Sequence, residues 1–409
     1  MAEAPVPSLS LEAVRAQWVR RAGFAEPVGG TLDHLLDETG WLRTLGGVDP
    51  ALALLARRAD LTLADISQAM ADGGLAVTPA VRNCIYVVPG EKRAVALAEA
   101  HSKWERRIAR EAPKAGIRDG ELDEVAQAVL AVLAGPMTTE AISEALGEGA
   151  VRSLGEEGRS VGISSTLPPA LRLLELTDRI RRHPVDYRID TERHLWRTVA
   201  EPAPDERPDE QRRAELVADY ARHCGPLHLE DFTAWMDSSK RDARAAIEAA
   251  GLVEVDVEGH GAAWCHADHF DELVSGEPID PHLVRLLGFE DLALVAHTPA
   301  AWFADKHHDL RLPVWGRGSH TLGGAHHLAM RTVLIGSHMA GFWAWDPERR
   351  AVEVVVLEAT DAEGTEAIGA AAEVTTAFLR ESFGHARMTS IDGDATEQAR
   401  LDALRAMVD

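Results

Sequence analysis

Apolar residues recur at intervals of three and four through most of the first 250 positions, which predicts a mainly helical chain. The spacing predicts a helix that begins after Ser10, helices at 31–39 and 50–58, and a helix that begins after Thr62. Ser10 and Thr62 are typical helix N-caps, because their hydroxyl oxygens accept the free N–H groups of the first turn. A β-rich run at 82–88 follows, and a long basic helix comes after it.

A pattern of three helices and a β-hairpin occurs twice in the middle of the chain, at 122–190 and at 211–259. In both copies a Gly-Pro pair precedes the second helix, in AGPMTTEAISEAL and in CGPLHLEDFTAWM, and an acid lies near the start of that helix. This order of elements is typical of winged-helix domains, whose third helix usually enters a DNA groove. The sequence therefore predicts two tandem winged helices.

The C-terminal part changes to a pattern of strands and tight turns over 331–359, and EAIGAAAEVTTAFLRESFG then predicts a closing amphipathic helix. The chain has 409 residues, which is too long for a single ordinary core. The predicted divisions are a helical, winged-helix-like unit at 1–120, winged helices at 121–200 and 201–275, and a β-rich subdomain with a closing helix at 276–409.

The composition indicates a soluble cytoplasmic protein, which we expect to be a monomer. Apolar residues make up 46% and charged residues 26% of the chain, as in ordinary globular proteins. Three scattered cysteines (Cys84, Cys224 and Cys265) do not form a disulfide framework. MAEAPVPSLSLEAV lacks the features of a signal peptide, and no apolar run approaches the roughly 20 residues that span a bilayer.

The net charge of −24 disfavours nonspecific binding to phosphates or anionic lipids. The charge is uneven: 1–135 carries 15 Lys+Arg against 18 Asp+Glu, whereas 351–409 carries 4 against 12. A surface for a polyanion is therefore expected in the N-terminal part, where SKWERRIAREAPKAGIR is rich in basic residues. The alternative for this segment is a solvated helix face, because Glu105 and Glu111 are interleaved.

Four stretches in this order resemble a known winged-helix family: GGVDPALALLARR, LAVTPAVRNCIYVV, CGPLHLEDFTAW, and VRLLGFEDLAL followed by RTVLIGSHMAGFW. The family includes the AlkZ-type and YcaQ-type DNA glycosylases, which remove bulky alkylated purines or unhook crosslinks. The resemblance implies an α+β, mainly α fold of tandem winged-helix units around a concave surface, with a C-terminal β-rich subdomain. It implies double-stranded DNA as the partner and no cofactor.

The family's catalytic signature, Gln-x-Gln or Gln-x-Asp before a helix, is degenerate in this chain. The two positions correspond to Gly46 and Val48, and Asp49 follows one residue later. A shift of one residue gives Asp49 the role of holding water and stabilising positive charge on the sugar. The alternative is an N-cap in front of Pro50, which accepts N–H groups of the first turn and has no catalytic role.

The family's Arg-x-Thr-x-His strand is similar to RNCIY, in which Arg82 is kept while Cys84 and Tyr86 replace Thr and His. Arg82 and Tyr86 are predicted contacts for DNA or a ligand, and a surface salt bridge is the alternative for Arg82. The segments that carry the resemblance add three further predicted DNA- or ligand-binding residues: Arg57, Arg331 and His338.

Histidines are concentrated near the C-terminus, but their spacing matches no zinc finger, and no Cys-x-x-Cys pair accompanies them. We expect no metal and interpret the segment at 307–338 as a solvated loop. WGRGSHTLGGAHH lacks the strand and helix context of a nucleotide-binding loop, and a mobile lid over a pocket is the alternative function.

Three functions remain open: a DNA repair enzyme with altered catalytic residues, a DNA-binding or lesion-shielding protein without catalysis, and an enzyme or binder of a small natural product. We predict a DNA-binding protein of the DNA-glycosylase type that acts on or shields alkylated DNA in self-resistance to a genotoxin. The degenerate motif leaves catalysis open. With so negative a chain, DNA binding is expected to be weak and salt-dependent.

Overall fold

The computed structural model describes residues 6–314 and 318–407. Its helices are α1 (Leu11–Arg21), α2 (Leu32–Thr39), α3 (Asp49–Arg57), α4 (Leu63–Ala71), α5 (Arg93–Glu111), α6 (Glu121–Val132), α7 (Thr139–Leu146), α8 (Gly155–Ser160), α9 (Leu167–Leu176), α10 (Asp209–Cys224), α11 (Leu229–Met236), α12 (Lys240–Ala249), α13 (Phe270–Ser275), α14 (Leu292–Val295), α15 (Pro299–Trp302), α16 (Ala362–Ser382) and α17 (Asp394–Arg405). Its strands are β1 (Ser8–Leu9), β2 (Leu42–Arg43), β3 (Leu75–Pro79), β4 (Ile85–Pro89), β5 (Ile180–Pro184), β6 (His194–Thr198), β7 (Val253–Val257), β8 (Gly261–Cys265), β9 (Val284–Leu286), β10 (Arg311–Pro313), β11 (Ser319–Thr321), β12 (Arg331–Ile335), β13 (His338–Asp346) and β14 (Ala351–Val356).

Local capping sets the start of several helices, as the sequence predicts. The Ser10 hydroxyl accepts the Ala13 N–H at 3.2 Å, which begins α1. Thr62 and Asp65 form a reciprocal capping box at the start of α4. Thr138 caps α7 in the same way as Ser10 caps α1. These side chains satisfy N–H groups that a helix cannot satisfy internally, so each boundary is fixed locally.

One pattern of elements occurs three times: helix, short extended segment, helix, helix and β-hairpin. The first unit (residues 32–89) runs from α2 through β2 to the β3–β4 hairpin. The second unit (121–198) runs from α6 to the β5–β6 hairpin and also contains α8. The third unit (209–265) runs from α10 to the β7–β8 hairpin. The sequence predicts the matched repeat in the second and third units, and for residues 1–120 it predicts a winged-helix-like unit without a matched motif.

The Gly-Pro pairs of the second and third units lead into equivalent backbone contacts. Met137, just after the first pair, exchanges hydrogen bonds with Trp196 on β6 at 2.8 and 3.1 Å. Leu227, just after the second pair, does the same with Trp264 on β8, at 2.9 Å in both directions. In the first unit β2 pairs with β4 in the same manner. Each unit therefore has a third, very short strand beside its hairpin.

The hydrophobic cores divide the chain differently from the repeats. The second unit has a core of its own, in which Val129, Leu171 and Trp196 are buried. The β3–β4 hairpin of the first unit shares a core with the third unit, where Tyr86 and Tyr220 are both buried. The first and third units are thus joined by side-chain packing, whereas the second has a separate interior.

The C-terminal part is a four-stranded antiparallel sheet in the order β14-β13-β12-β9. Helix α16, the closing helix of the sequence prediction, packs on β14 and β9, and α17, which the sequence analysis did not predict, packs on β13. The core of this sheet is continuous with that of the first unit. At the other end of the chain, β1 pairs in parallel with β7 of the third unit.

Candidate functional site

The loop at 44–48, which connects β2 to α3, is the place of the degenerate motif. A chain segment near the C-terminus (residues 386–392, the C-terminal strap) lies directly on this loop. Gly46 forms a β-bridge with Thr389, and the Val48 N–H donates to the Arg387 carbonyl at 2.9 Å. The loop is therefore held by backbone hydrogen bonds from a segment about 340 positions later in the chain.

The two glycines of the loop are required by what surrounds them. Gly46 has a φ of +73°, and a Cβ on it would lie 2.4 Å from the Cγ of Glu192, a residue of the β5–β6 loop. A Cβ on Gly47 would lie 2.3 Å from the carbonyl carbon and oxygen of Met388. Such distances are far below normal contact, so neither position admits a side chain in this arrangement. The space at Gly46 is taken by the side chain of Glu192, whose carboxylate accepts a hydrogen bond from the Ser390 hydroxyl.

Asp49 is not the helix N-cap that the sequence predicts. Val48 is the residue before α3 and already has helical dihedral angles, so Asp49 lies inside the first turn. Its carboxylate turns away from the N–H groups of Leu52 and Ala53. It accepts hydrogen bonds from the Phe289 N–H at 2.6 Å and from the Arg331 guanidinium at 2.7 and 2.9 Å.

The Asp49–Arg331 pair is a buried link between α3 and β12. The side chains are 5% and 3% exposed, and the Arg331 guanidinium also donates to the Ala386 carbonyl and lies 4.9 Å above the Trp343 ring. The pair holds the first unit, the C-terminal sheet and the strap together. Both residues are engaged in structural contacts, so neither predicted role, catalysis for Asp49 or DNA contact for Arg331, is supported by this geometry.

Arg57 has a similar structural position at the end of α3. It forms a two-pronged ion pair with Asp291 at 2.8 and 2.9 Å, and both side chains are fully buried. It also donates to the Ala53 carbonyl and lies 4.7 Å from the Phe24 ring centre. DNA does not reach a guanidinium in this position, so this geometry does not support the predicted DNA contact at Arg57.

Arg82 and Tyr86 do lie together, although not on one strand as predicted. Arg82 belongs to the turn between β3 and β4, with a φ of 56°, and only Tyr86 lies on β4. The Arg82 guanidinium donates to the Tyr86 hydroxyl at 3.3 Å. Burial raises the pKa of the Tyr86 phenol, so it is neutral at physiological pH. Among the described residues, the Arg82 Nε has no hydrogen-bond acceptor.

Arg43 and Glu290 extend this group, and the sequence analysis missed both. The β2–β4 register places Arg43 opposite Tyr86, and Arg43 forms an ion pair with Glu290. Burial lowers the pKa of the nearby His327, and the positive charges of Arg82 and Arg43 lower it further. The negative charge of Glu290 acts in the opposite direction and raises this pKa. We call Arg43, Arg82, Tyr86, Glu290 and His327 the hairpin-tip cluster. It offers two arginine side chains beside the glycine loop.

His338 lies elsewhere. It begins β13, where its Nε2 is 3.3 Å from a Glu12 carboxylate oxygen and its Nδ1 is 3.0 Å from the Ser337 hydroxyl. Burial lowers its pKa. No contact joins it to the hairpin-tip cluster within the described ranges, so the predicted site residues do not form one site.

Comparison with known proteins identifies the family. The model of the DNA glycosylase AlkZ-like family matches residues 47–378. The chain belongs to this family. Its structure is also similar to that of the DNA glycosylase AlkZ of Streptomyces sahachiroi, with a TM-score of 0.67 and 17% identity over 93% of this chain and 99% of that chain. At this identity the likeness shows a shared fold. A comparison with curated proteins gives no match.

The AlkZ-like chain thus has a motif loop without the expected side chains. Glycine occupies the first motif position, and the carboxylate nearest to it comes from Glu192 of the second unit. Sequence reasoning could not have found Glu192, because nothing in TERHLW indicates that this loop reaches the first unit. Arg43 could have been predicted as a site residue, because it immediately precedes TLGGVDP in the sequence.

Metal sites and membrane spans are two other features that bear on function. His, Cys, Asp and Glu side chains form no group of three that could hold a metal ion within residues 6–314 and 318–407. No helix in the same ranges is both long and apolar enough to cross a membrane. The segment at 307–338, predicted as a solvated loop or lid, instead contains β10, β11 and β12, and its Leu312 and Leu322 side chains are buried. Residues 315–317 lie outside the described residues.

Proposed function

We propose that this AlkZ-like protein binds double-stranded DNA with alkylated purines and thereby takes part in resistance to a genotoxin. Family membership over residues 47–378 carries the proposal. We further propose that the three units are winged helices, because each has three helices followed by a hairpin with a short third strand. In this proposal the units present a common concave surface to the duplex.

The hairpin-tip cluster is the proposed phosphate contact on that surface. Arg43 and Arg82 bring two partly exposed side chains to the tip of the β3–β4 hairpin, and the Nε of each is buried without an acceptor among the residues described. Guanidinium groups match phosphate geometry, and backbone contacts of this kind dominate affinity for DNA. Glu290 offsets part of this positive charge through its ion pair with Arg43. The proposed binding is therefore weak and depends strongly on salt.

Fluorescence anisotropy with a labelled duplex tests the binding. Alkylated and unmodified duplexes are titrated at about 50 and 200 mM salt, and the logarithm of the affinity should fall linearly with that of the salt concentration. Arg82→Met should reduce the slope by about one. The control is Arg349→Met, which removes a 74% exposed arginine from the β13–β14 turn and should leave the slope unchanged. Absence of binding at low salt would contradict the proposal and favour a small-molecule ligand instead.

One observation favours a second candidate, hydrolytic removal of the alkylated base. The Glu192 side chain occupies the space of a Gly46 side chain, with its Cδ 3.2 Å from the glycine's ideal Cβ position. A carboxylate there meets the chemical requirement for base removal, which is to orient water and stabilise positive charge on the sugar. In this candidate the second unit supplies the group that the motif loop lacks.

Base release from an alkylated duplex under single-turnover conditions tests this candidate. Glu192→Gln keeps the size of the side chain but removes its charge, and it should slow release about 100-fold without weakening DNA binding. The matched control is Glu201→Gln, an exposed position on the linker after β6. If the unaltered protein binds the alkylated duplex and releases no base, binding alone is the function.

A further inference from the structure

A cleft of about 240 Å³ lies between α5, which follows the first unit, and the N-terminal part of α9 in the second unit. The tip of the β3–β4 hairpin closes one end through Asn83, the neighbour of Arg82 in the chain. The Asn83 side-chain amide faces the Ala100 carbonyl and the Trp104 N–H of α5. The cleft therefore begins directly beside the hairpin-tip cluster, although none of the predicted site residues lines it.

Arg172 gives the cleft a desolvated positive charge. Burial lowers the pKa of its guanidinium, and Glu175, the acid nearest in the chain, already accepts both prongs of Arg182 at 2.5 and 2.6 Å. The Nη1 of Arg172 is buried and has no hydrogen-bond acceptor among the described residues. A buried donor without an acceptor is unfavourable. Arg172 itself lines the cleft, so an anion there would lie beside this side chain and offset its charge.

Trp104 gives the same cleft an aromatic wall. The indole packs on Leu97, Ala100 and Leu176 and remains partly exposed. Ile163 and the proline pair at the start of α9 add apolar surface. Indole faces bind planar rings by stacking, and stacking of a nucleic-acid base on an aromatic side chain is largely independent of the base's identity.

The rim carries one acidic residue, Glu111, which limits how an anion can enter. Its carboxylate accepts hydrogen bonds from Arg107 at 2.7 Å and from Arg110 at 3.3 Å, so two guanidinium groups offset its charge. Arg107 lines the cleft and is about half exposed. The local balance is thus positive although the chain as a whole is strongly negative.

We propose that this cleft binds a single nucleotide, with its phosphate on Arg172 and its base against Trp104. The nucleotide is either free or extrahelical in a DNA strand, and the DNA-borne form rests on the proposed DNA binding. The cleft of about 240 Å³ is somewhat smaller than the roughly 300–1,000 Å³ of pockets for drug-sized molecules, so it has room for one nucleotide only if part of that nucleotide stays in solvent. A bulky natural product does not fit this description.

Titration with 2′-deoxyadenosine 5′-monophosphate tests the cleft directly, with isothermal calorimetry as the readout. The nucleotide should bind at least tenfold more tightly than deoxyadenosine or inorganic phosphate alone, because each of these satisfies only one half of the site. Arg172→Met and Trp104→Ala should each weaken binding about tenfold or more. Arg349→Met serves as the exposed control. Circular dichroism checks that each variant is folded.

A second measurement separates the two sources of the nucleotide. A duplex with one unpaired, extrahelical adenosine should bind more tightly than a fully paired duplex, and Arg172→Met should abolish that difference. Nucleotide binding without any duplex binding would support the cleft in its free-nucleotide form and overturn the proposed DNA function. If the free nucleotide does not bind and both cleft variants bind the duplex as the unaltered protein does, the proposed nucleotide site is overturned. The proposed DNA binding is then unaffected.

Discussion

The buried pair of Asp49 and Arg331 gives the sharpest stability prediction. Asp49→Asn keeps the size of the side chain and removes the negative charge. The new amide can still accept from the Phe289 N–H, but its NH₂ group then faces a guanidinium donor. The Arg331 charge is left at 3% exposure without its counter-ion. Loss of one partner from such a pair costs about 3–5 kcal/mol, so we expect Asp49→Asn to lower the free energy of unfolding by that amount.

An N-cap predicts a different result for the same change. Asn caps a helix about as well as Asp, so Asp49→Asn would be nearly neutral and Asp49→Ala would cost about 1 kcal/mol. For Asp49→Asn the two interpretations thus differ by roughly 3 kcal/mol or more, well beyond the error of a urea titration. Asp60→Asn is the matched control: Asp60 lies in the same unit with its side chain 88% exposed, and the change should stay within about 0.5 kcal/mol.

A double-mutant cycle isolates the pair itself. Arg331→Met alone leaves the Asp49 carboxylate buried and unpaired, whereas the double variant removes both charges. The double variant should therefore lose much less stability than the sum of the two single losses. Urea unfolding at constant m-value measures all four proteins. Additive losses, or a loss below 1 kcal/mol for Asp49→Asn, would refute the assignment of a buried structural ion pair.

Three further predictions concern pH, the second unit and Arg57. Burial lowers the pKa of His194 and His269 to about 4 in the folded chain, so the unfolded chain binds more protons between pH 6.5 and 4. The urea midpoint should therefore decrease as the pH is lowered from 6.5 to 4, and the double variant His194→Gln/His269→Gln should show a smaller decrease. Trp196→Ala should cost about 3–5 kcal/mol and raise hydrogen exchange within residues 121–198 only, because that unit has a separate core. Arg57→Met should cost about 3–5 kcal/mol in urea unfolding without changing the salt slope of DNA binding, because its pair with Asp291 is fully buried.

Features that depend on neighbouring residues could be predicted from the sequence. The helix starts at Ser10 and Thr62 follow from hydroxyl caps that act within three residues. The repeat of the second and third units was visible because the same Gly-Pro pair precedes the same short strand in both. The equivalent strand of the first unit, β2, has two residues and no Gly-Pro pair, so the order of elements within the winged-helix-like unit predicted at 1–120 became apparent only in the structure.

The candidate site depends on contacts between distant positions, which no local pattern reveals. The Asp-Pro pair at 49–50 satisfies every rule for an N-cap, yet the carboxylate bonds with Phe289 and Arg331, 240 and 282 residues away. Burial decided the outcome: a carboxylate at 5% exposure is stabilised by a guanidinium more than by a helix N–H. The same reasoning explains why Arg57 was mistaken for a DNA contact, since its partner Asp291 also lies far along the chain.

The glycine loop and the C-terminal strap depend on each other. The strap bonds to the loop through Arg387 and Thr389, and its backbone passes so close to Gly47 that even a methyl group there would displace it. A glutamine at Gly46 would collide with Glu192 and would need a left-handed backbone that side chains rarely adopt. Restoring the family's motif in the loop alone would thus break the packing of both the strap and the β5–β6 loop. If this chain performs the chemistry of its family, the group responsible comes from outside the loop, and Glu192 is the carboxylate that the fold brings to that place.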